Sequence, residues 1–417
     1  MKAKLETVNI LKARSINMAS GDDPMDVTVI AYRYPPHSPG GAGIYTHRLS
    51  NRIRERGHKV RVISAVDDPK LAGKQLVEGI DVETVRVRSR PPFNRINYVH
   101  NPGTLLKSFG TGDVAHVHNF GAFSTTIFRA LKRQKGHRGL IWTCHDPEYM
   151  SMKVPESEMD EVVGIGHLGL PPTNMYSRPS WKGRLIWRSL EPNVDRFIAA
   201  SQFMYSLFLR AGIEKDRCRL VYNGIDASEF EHTPVPEEPI ILYVGEITRI
   251  KGTDTLIAAM PRVLESVPDA SLRIVGTGDL VPTLKTQVKQ MGLDKAVEFF
   301  GFQRDIRSFY RDAKVVALTT LGYEICSLVL LESLASGRPV VASSRGGNQE
   351  VIEAGKTGYL FTPGSSDELA DGLIKVLTSE EKARGFGNAA RISAENKFSL
   401  DRAADETIQV YRELLRP

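Results

Sequence analysis

The chain alternates short apolar runs with stretches of helical period, does so twice, and breaks the pattern at one polar segment that holds Pro234, Pro236 and Pro239. In the first half, strands are expected at 27–31, 60–63, 114–117, 140–143, 197–200 and 220–221, with helices at 43–56, 124–134 and 202–211. In the second half, strands at 240–244, 272–275, 297–300, 315–318 and 339–342 alternate with helices at 253–267, 280–291 and 328–335. Strand–helix–strand units in series build parallel sheets, and a parallel sheet must be covered on both faces. The expected fold class is therefore α/β, with two Rossmann-like, doubly wound domains at 25–230 and 240–399, a linker at 231–239, and a cleft between the carboxyl ends of the two sheets.

Composition removes several other classes. The 417 residues are 41% apolar and 25% charged, which suits globular domains rather than a disordered or fibrous chain. No apolar run approaches the roughly 18 residues of a membrane-spanning helix. Cys144, Cys218 and Cys326 lie far apart, so neither a disulfide framework nor a zinc knuckle is expected, and a cytoplasmic setting fits. Residues 1–24 lack the apolar core of a secretory signal and are expected to form a disordered extension. Charge is unevenly spread: residues 1–230 carry 33 Lys and Arg against 23 Asp and Glu, a surplus of ten, while the remainder is acidic. A basic first half points to an anionic partner, such as a phosphorylated substrate or an acidic lipid surface. Nucleic acid is not expected, because no sheet motif interleaves aromatic and basic residues.

Three Gly-rich turns follow expected strands, where backbone N–H groups and a helix start can hold phosphate. They are Gly40-Gly41-Ala42-Gly43, the turn from Gly245 to Gly252, and Gly276-Thr277-Gly278. None completes a dinucleotide fingerprint, since Thr46 and Val281 stand where the third glycine belongs, and Gly355-Lys356-Thr357 lacks the first glycine of a P-loop. Arg249 and Lys251 lead directly into a helix start, a place where two cations and a helix dipole suit a diphosphate. With no Asp-x-Asp triplet to hold a divalent ion, these cations are expected to serve a departing phosphate in its place, and no metal or cofactor is expected. Glu324 and Glu332 stand eight residues apart around an apolar helix start. With Ser327 at the cap, Glu324 falls on the loop and Glu332 on the second turn. His116 and His118 alternate onto one strand face and, without a third ligand, read as structural.

Five ordered segments resemble retaining glycosyltransferase family 4, of GT-B architecture, from about Met25 to the end. EICSLVLLESLASGRPVVAS is similar to its E-x7-E signature, and PPHSPGGAGIYTHRLSNRIRERGHKVRVIS to its first loop and helix. VYNGID, VGEITRIKG and RGGNQEVIEAGKTGYLF are similar to the family's last N-domain strand, phosphate loop and Gly-Gly-x-x-Glu segment. The closing helix at 400–417 resembles the one that crosses back onto the first domain. The resemblance implies a nucleotide-sugar donor, with Glu332 on the ribose hydroxyls, Glu324 on the donor sugar, and Arg249 and Lys251 on the diphosphate. It further implies a donor site lined by Gly40, Gly41, Gly245, Gly276, Ser327, Leu328, Gly346, Gly347 and Glu350. His145 matches the family's strand-end histidine near the transferred sugar. Two departures stand out: Glu246 replaces the usual arginine after Gly245, and Cys326-Ser327 replaces the commoner Phe-Gly.

The acceptor, a glycan, glycolipid or small molecule, is not specified by the residues. Trp181, Lys182, Arg184, Trp187 and Arg188 form a basic aromatic segment suited to peripheral contact with an anionic membrane at its inner face, and Lys132, Arg133, Lys135 and Arg138 add charge. The rival readings are a sugar-binding regulatory protein without transfer, a nucleotide-sugar epimerase, and an α-glucan synthase using ADP-glucose.

Overall fold

The computed structural model describes residues 23–37, 40–66, 68–88, 98–99, 108–119, 126–147, 150, 154 and 181–416. The expected extension at 1–24 therefore lies almost wholly outside the described residues, as does most of the segment from 151 to 180.

The first sheet runs β1 (Asp26–Tyr32), β2 (Lys59–Val66), β3 (Gly73–Val77), β4 (Ile80–Arg88), β5 (Tyr98–Val99), β6 (Gly112–Asn119), β7 (His137–Cys144), β8 (Arg196–Ala199) and β9 (Cys218–Leu220). Its spatial order is β3-β4-β2-β1-β6-β7-β8-β9, parallel throughout except for β3 and β5, which pair antiparallel with β4. Helices α1 (Gly41–Glu55), α2 (Thr126–Gln134), α3 (Trp181–Leu190) and α4 (Gln202–Arg210) connect its strands.

The second sheet comprises β10 (Ile240–Val244), β11 (Ser271–Val275), β12 (Val297–Gly301), β13 (Val315–Leu318), β14 (Val340–Ser343) and β15 (Gly358–Phe361). Its order is β12-β11-β10-β13-β14-β15, with every pairing parallel. Around it lie α5 (Thr253–Ser266), α6 (Val281–Gln290), α7 (Arg307–Asp312), α8 (Leu328–Ala335), α9 (Asn348–Val351), α10 (Ser366–Leu377) and α11 (Glu380–Glu395). Both sheets reverse their winding beside the first strand, between β1 and β6 and between β10 and β13. The loops at those reversals leave a crevice at the carboxyl edge. The α/β, doubly wound expectation holds for both halves. The strands β3, β4, β5 and β15 and the helices α3, α7, α9, α10 and α11 are additions to it.

The last helix, α12 (Leu400–Leu415), packs on the first sheet, with Leu400, Ala403, Ala404, Ile408 and Tyr411 buried among Val27, Val29, Tyr45 and Val62. Where the chain passes between the sheets, its two crossings lie side by side. Ile225 N–H donates to Phe398 O and Leu400 N–H to Ile225 O. Gly224 is required there, because a Cβ would come 2.6 Å from the Leu400 backbone. Ion pairs join α1 to α12, with Arg52 on Asp401 at 2.8 Å and Arg56 on Asp405 at 2.8 Å.

Two histidines of the first sheet contribute to its acid tolerance. His116 is fully buried and His137 sits at the start of β7; burial lowers them to about 3 and about 4 respectively. The unfolded chain takes protons on these rings as the pH falls through about 6.5, and the folded chain does not. Stability is therefore fully present above that value and falls as the pH drops toward 4, by on the order of 1–2 kcal/mol per histidine at pH 5. The thermal midpoint is expected to begin falling near pH 6, above the carboxylate range. A flat midpoint from pH 7 to 5 would contradict this.

Candidate active site

At the carboxyl edge of the second sheet, glycine fixes how closely the loops stack. Gly245 and Gly276 have φ values of 154° and 143°. A Cβ on Gly276 would lie 1.8 Å from Gly245 O, and one on Gly278 would lie 2.0 Å from Ile247 O. The Arg249–Lys251 turn ends at Gly252, which is left-handed at φ 63° and packs against Thr319 O. Thr319 Oγ1 donates to Lys251 O at 2.9 Å and Leu321 N–H to Ile250 O at 2.7 Å, which clamp the turn onto the loop after β13.

This clamp sets the Lys251 ammonium 2.6 Å from Glu324 Oε1, and the carboxylate raises the lysine's pKa. Arg249, on the same turn, is exposed and makes no ion pair among the described residues. Glu324 is held in turn by its own backbone: Gly347 N–H donates to Glu324 O at 2.7 Å, and a Cβ on Gly346 would lie 2.2 Å from that oxygen. Gly346 and Gly347 thus carry the loop that presents Glu324.

Beside this pair, two helices begin without side-chain caps. Ser327 occupies the cap position of α8 but its hydroxyl makes no capping bond, and the first bond of the helix runs from Leu331 N–H to Ser327 O. Gly40 precedes α1 in the same way, with its first bond from Ile44 N–H to Gly40 O. The two starts meet: a Cβ on Gly41 would lie 3.8 Å from Leu328 Cδ1, and Gly40 faces open space. Each start offers its first three backbone N–H groups and the positive end of a helix dipole.

The remaining expected residues are placed as follows. Glu332 lies on the second turn of α8 but is only 7% exposed. Tyr310 OH donates to Oε2 at 3.0 Å, Arg48 Nη1 stands 3.6 Å from Oε1, and burial raises its pKa. Glu350 lies on α9, three residues after Gly347. Its carboxylate accepts from Gln202 N–H at 2.6 Å, Phe203 N–H at 2.7 Å and Tyr222 OH at 2.9 Å, and so caps α4 of the first domain. Helix-start N–H groups lacking a partner draw the nearest carboxylate, here one from the other domain. His145 follows β7, its Nε2 2.9 Å from His118 Nδ1 and its ring edge-on to Tyr45 at 5.6 Å.

Sequence reasoning missed Tyr45 and Arg48. The signal was their spacing, because Gly41, Tyr45, Arg48 and Arg52 recur at helical intervals along one face of α1. That face meets Leu328, His145, Glu332 and Asp226 in order. The basic aromatic segment resolves into two faces of α3: Arg184 and Arg188 are exposed, whereas Trp187 is buried with its ring 6.4 Å from Trp142. Trp187 is thereby unavailable to a membrane interface. The side chains of Trp181 and Lys182 lie outside the described residues.

The chain is similar to known glycosyltransferases. Two family models match successive parts of the chain, Glycosyltransferase Family 4 over residues 39–229 and Glycosyl transferases group 1 over residues 225–393. An uncharacterized glycosyltransferase of Methanocaldococcus jannaschii is 28% identical over 93% of this chain and 98% of its own. The glycogen synthase of Mycobacterium tuberculosis is 26% identical over 93% of this chain and 94% of its own. The crystal structure of Anabaena HepE in complex with UDP-glucose superposes with a TM-score of 0.72 at 21% identity, covering 93% of this chain and 100% of that one. The two facing parallel-sheet domains are the GT-B architecture, and the chain belongs to the family 4 glycosyltransferases.

Proposed function

We propose that the protein transfers a hexose-like sugar from a nucleoside diphosphate sugar to an acceptor hydroxyl, with retention at the anomeric carbon and without a metal. The observation that carries this reading is the meeting of two uncapped helix starts, at Gly41 and Leu328, beside the Lys251–Glu324 pair. Six backbone N–H groups, two dipoles and an ammonium suit the two negative charges that build up on a departing diphosphate.

In this reading the bond from the anomeric carbon to the diphosphate breaks while the acceptor oxygen bonds to that carbon on the same face. A donor phosphate oxygen takes the acceptor proton. Lys251 neutralises the leaving group, and Arg249, exposed on the same turn, closes onto it when the donor binds. Glu324, loosened from Lys251 by the phosphate charge, accepts hydrogen bonds from the donor sugar, and His145 faces that sugar from the other domain. Glu332 takes the ribose hydroxyls as Arg48 moves to Glu229, to which it is already bonded at 2.9 Å. Gly40 and Gly41 leave room for the reacting centre. No cofactor enters these steps.

The glycogen synthase of Mycobacterium tuberculosis supports a second reading, an α-glucan synthase, for which we take ADP-glucose as the donor. The exposed Arg184 and Arg188 support peripheral contact with anionic lipid from a cytoplasmic position, and through it a glycolipid acceptor. No helix among the described residues is long and apolar enough to cross a membrane.

A thermal-shift panel of UDP-, GDP- and ADP-sugars tests the reading. A rise of several degrees with one class is expected, UDP-glucose standing first because Anabaena HepE was crystallised with it. No shift with any of them would overturn the proposal, and a shift with ADP-glucose alone would favour the second reading. With the best donor, Lys251→Ala is expected to lower kcat about 100-fold while the protein stays folded, and an unchanged rate would remove the phosphate role. Glu332→Ala is expected to raise the donor KM about tenfold or more, measured by initial rates; an unchanged KM would end its ribose assignment.

A further inference from the structure

Three histidine rings run in a row beneath the second turn of α1. His116, in the middle of β6, is held at both nitrogens: Tyr411 OH lies 2.7 Å from Nδ1 and Thr143 Oγ1 2.7 Å from Nε2. His118, two residues on and facing the same way, packs against it with ring centroids 3.9 Å apart and is 2% exposed. Its Nδ1 reaches His145 Nε2 at 2.9 Å, the two rings within 13° of parallel. Tyr45 closes the outer side of His145.

This row determines what His145 can offer to a ligand. Burial lowers His145 to about 4 and His118 well below its ordinary value, with repulsion between the rings adding to the effect on His118, so both are neutral near pH 7. Two neutral imidazoles joined by one hydrogen bond hold a single proton between the bonded nitrogens. Nε2 of His145 is thereby occupied, and Nδ1 is the ring nitrogen left over. A neutral imidazole has one donor and one acceptor nitrogen, so the direction of the shared bond decides whether Nδ1 presents a proton or a lone pair.

We infer that His118 is a positioning residue for His145, fixing the tautomer and ring plane with which His145 meets the sugar, and that Tyr411 of the closing helix anchors the row through His116. The inference rests on the reading of His145 given under the proposed function. It extends that reading to a pair of strand histidines and to a helix 295 residues away in sequence from His116.

The test reads the rings without any substrate. In the full chain labelled with 15N-histidine, long-range proton–nitrogen spectra at pH 7.5 are expected to show His145 in a single tautomer. In His118→Phe, which keeps the bulk and loses the nitrogen, that signal is expected to average between tautomers. In His118→Asn, which places an amide near the former Nδ1, a single tautomer is expected to return. An averaged signal in the unsubstituted protein, or an unchanged one in His118→Phe, overturns the inference. Tyr411→Phe removes one hydroxyl and serves where His118→Phe does not fold. It is expected to shift both His116 and His145 nitrogens, and unchanged His145 signals there overturn the anchoring role. With a donor in hand, His118→Phe is expected to lower kcat about tenfold to a hundredfold at nearly constant donor KM, and His118→Asn to restore most of it. A protein that binds no nucleotide sugar would sink the transferase reading, while the tautomer spectra would still decide the role of His118.

Discussion

A parallel strand that turns into a helix delivers that helix's first backbone N–H groups to one edge of the sheet, unpaired and at the positive end of a dipole. In this protein two such edges face each other. At α1 and α8 no side chain among the described residues caps the helix start. At α1 the cost of the unpartnered donors is small, because Gly40 faces open space. The gain is a concavity where a doubly charged group meets fixed donors. The rest of the site follows from this placement. The stacked loops around Gly245 and Gly276 bring Lys251 and Glu324 to the same place, and the face of α1 that starts at Gly41 brings Tyr45 and Arg48 against the second domain.

The contrast with α4 shows that the open ends are a matter of position and not of poor capping in general. At α4 the Ser201 hydroxyl accepts from Met204 N–H, and Glu350 from the other domain takes the two N–H groups before it. The same carboxylate accepts Tyr222 OH, and Phe203 stacks on Tyr323 at 5.5 Å with the planes 19° apart. These contacts join the two domains through Tyr323, the residue before Glu324, and through the Gly346–Gly347 loop that carries Glu324. Capping and stacking thus fasten the domains next to the residues proposed to meet the ligand.

Much of the fold was legible in the residues because apolar runs such as 27–31 and 240–244 are buried on both faces and stand out from polar flanks. The E-x7-E spacing, the Arg249–Lys251 turn and the glycines were legible as well, since each joins a strand end to a helix start. What escaped reading depended on partners distant in sequence. Strand β4 alternates charged and apolar residues at the sheet's margin, and so lacked the continuous apolar run that marked its neighbours. The cap that Glu350 makes on α4 went unseen because Gln202 and Phe203 lie 148 and 147 residues earlier. The partners of Glu332 went unseen because nothing local announces Tyr310 or Arg48. Trp187 read as a surface aromatic because neighbouring arginines masked the helical period that turns its ring inward.

The side-by-side crossings at Ile225 and Ser399 carry a mechanical consequence. Two domains tethered by a single strand can twist and slide in any direction. Two tethers bonded to each other within a few ångströms behave as one pivot, and Gly224 keeps that pivot narrow. Any relative motion that keeps these bonds is confined to swinging about this point, so displacement grows with distance from it. A small change of angle at the pin becomes a wide opening at the far mouth, and residues near the pin stay almost in register while those across the gap part company.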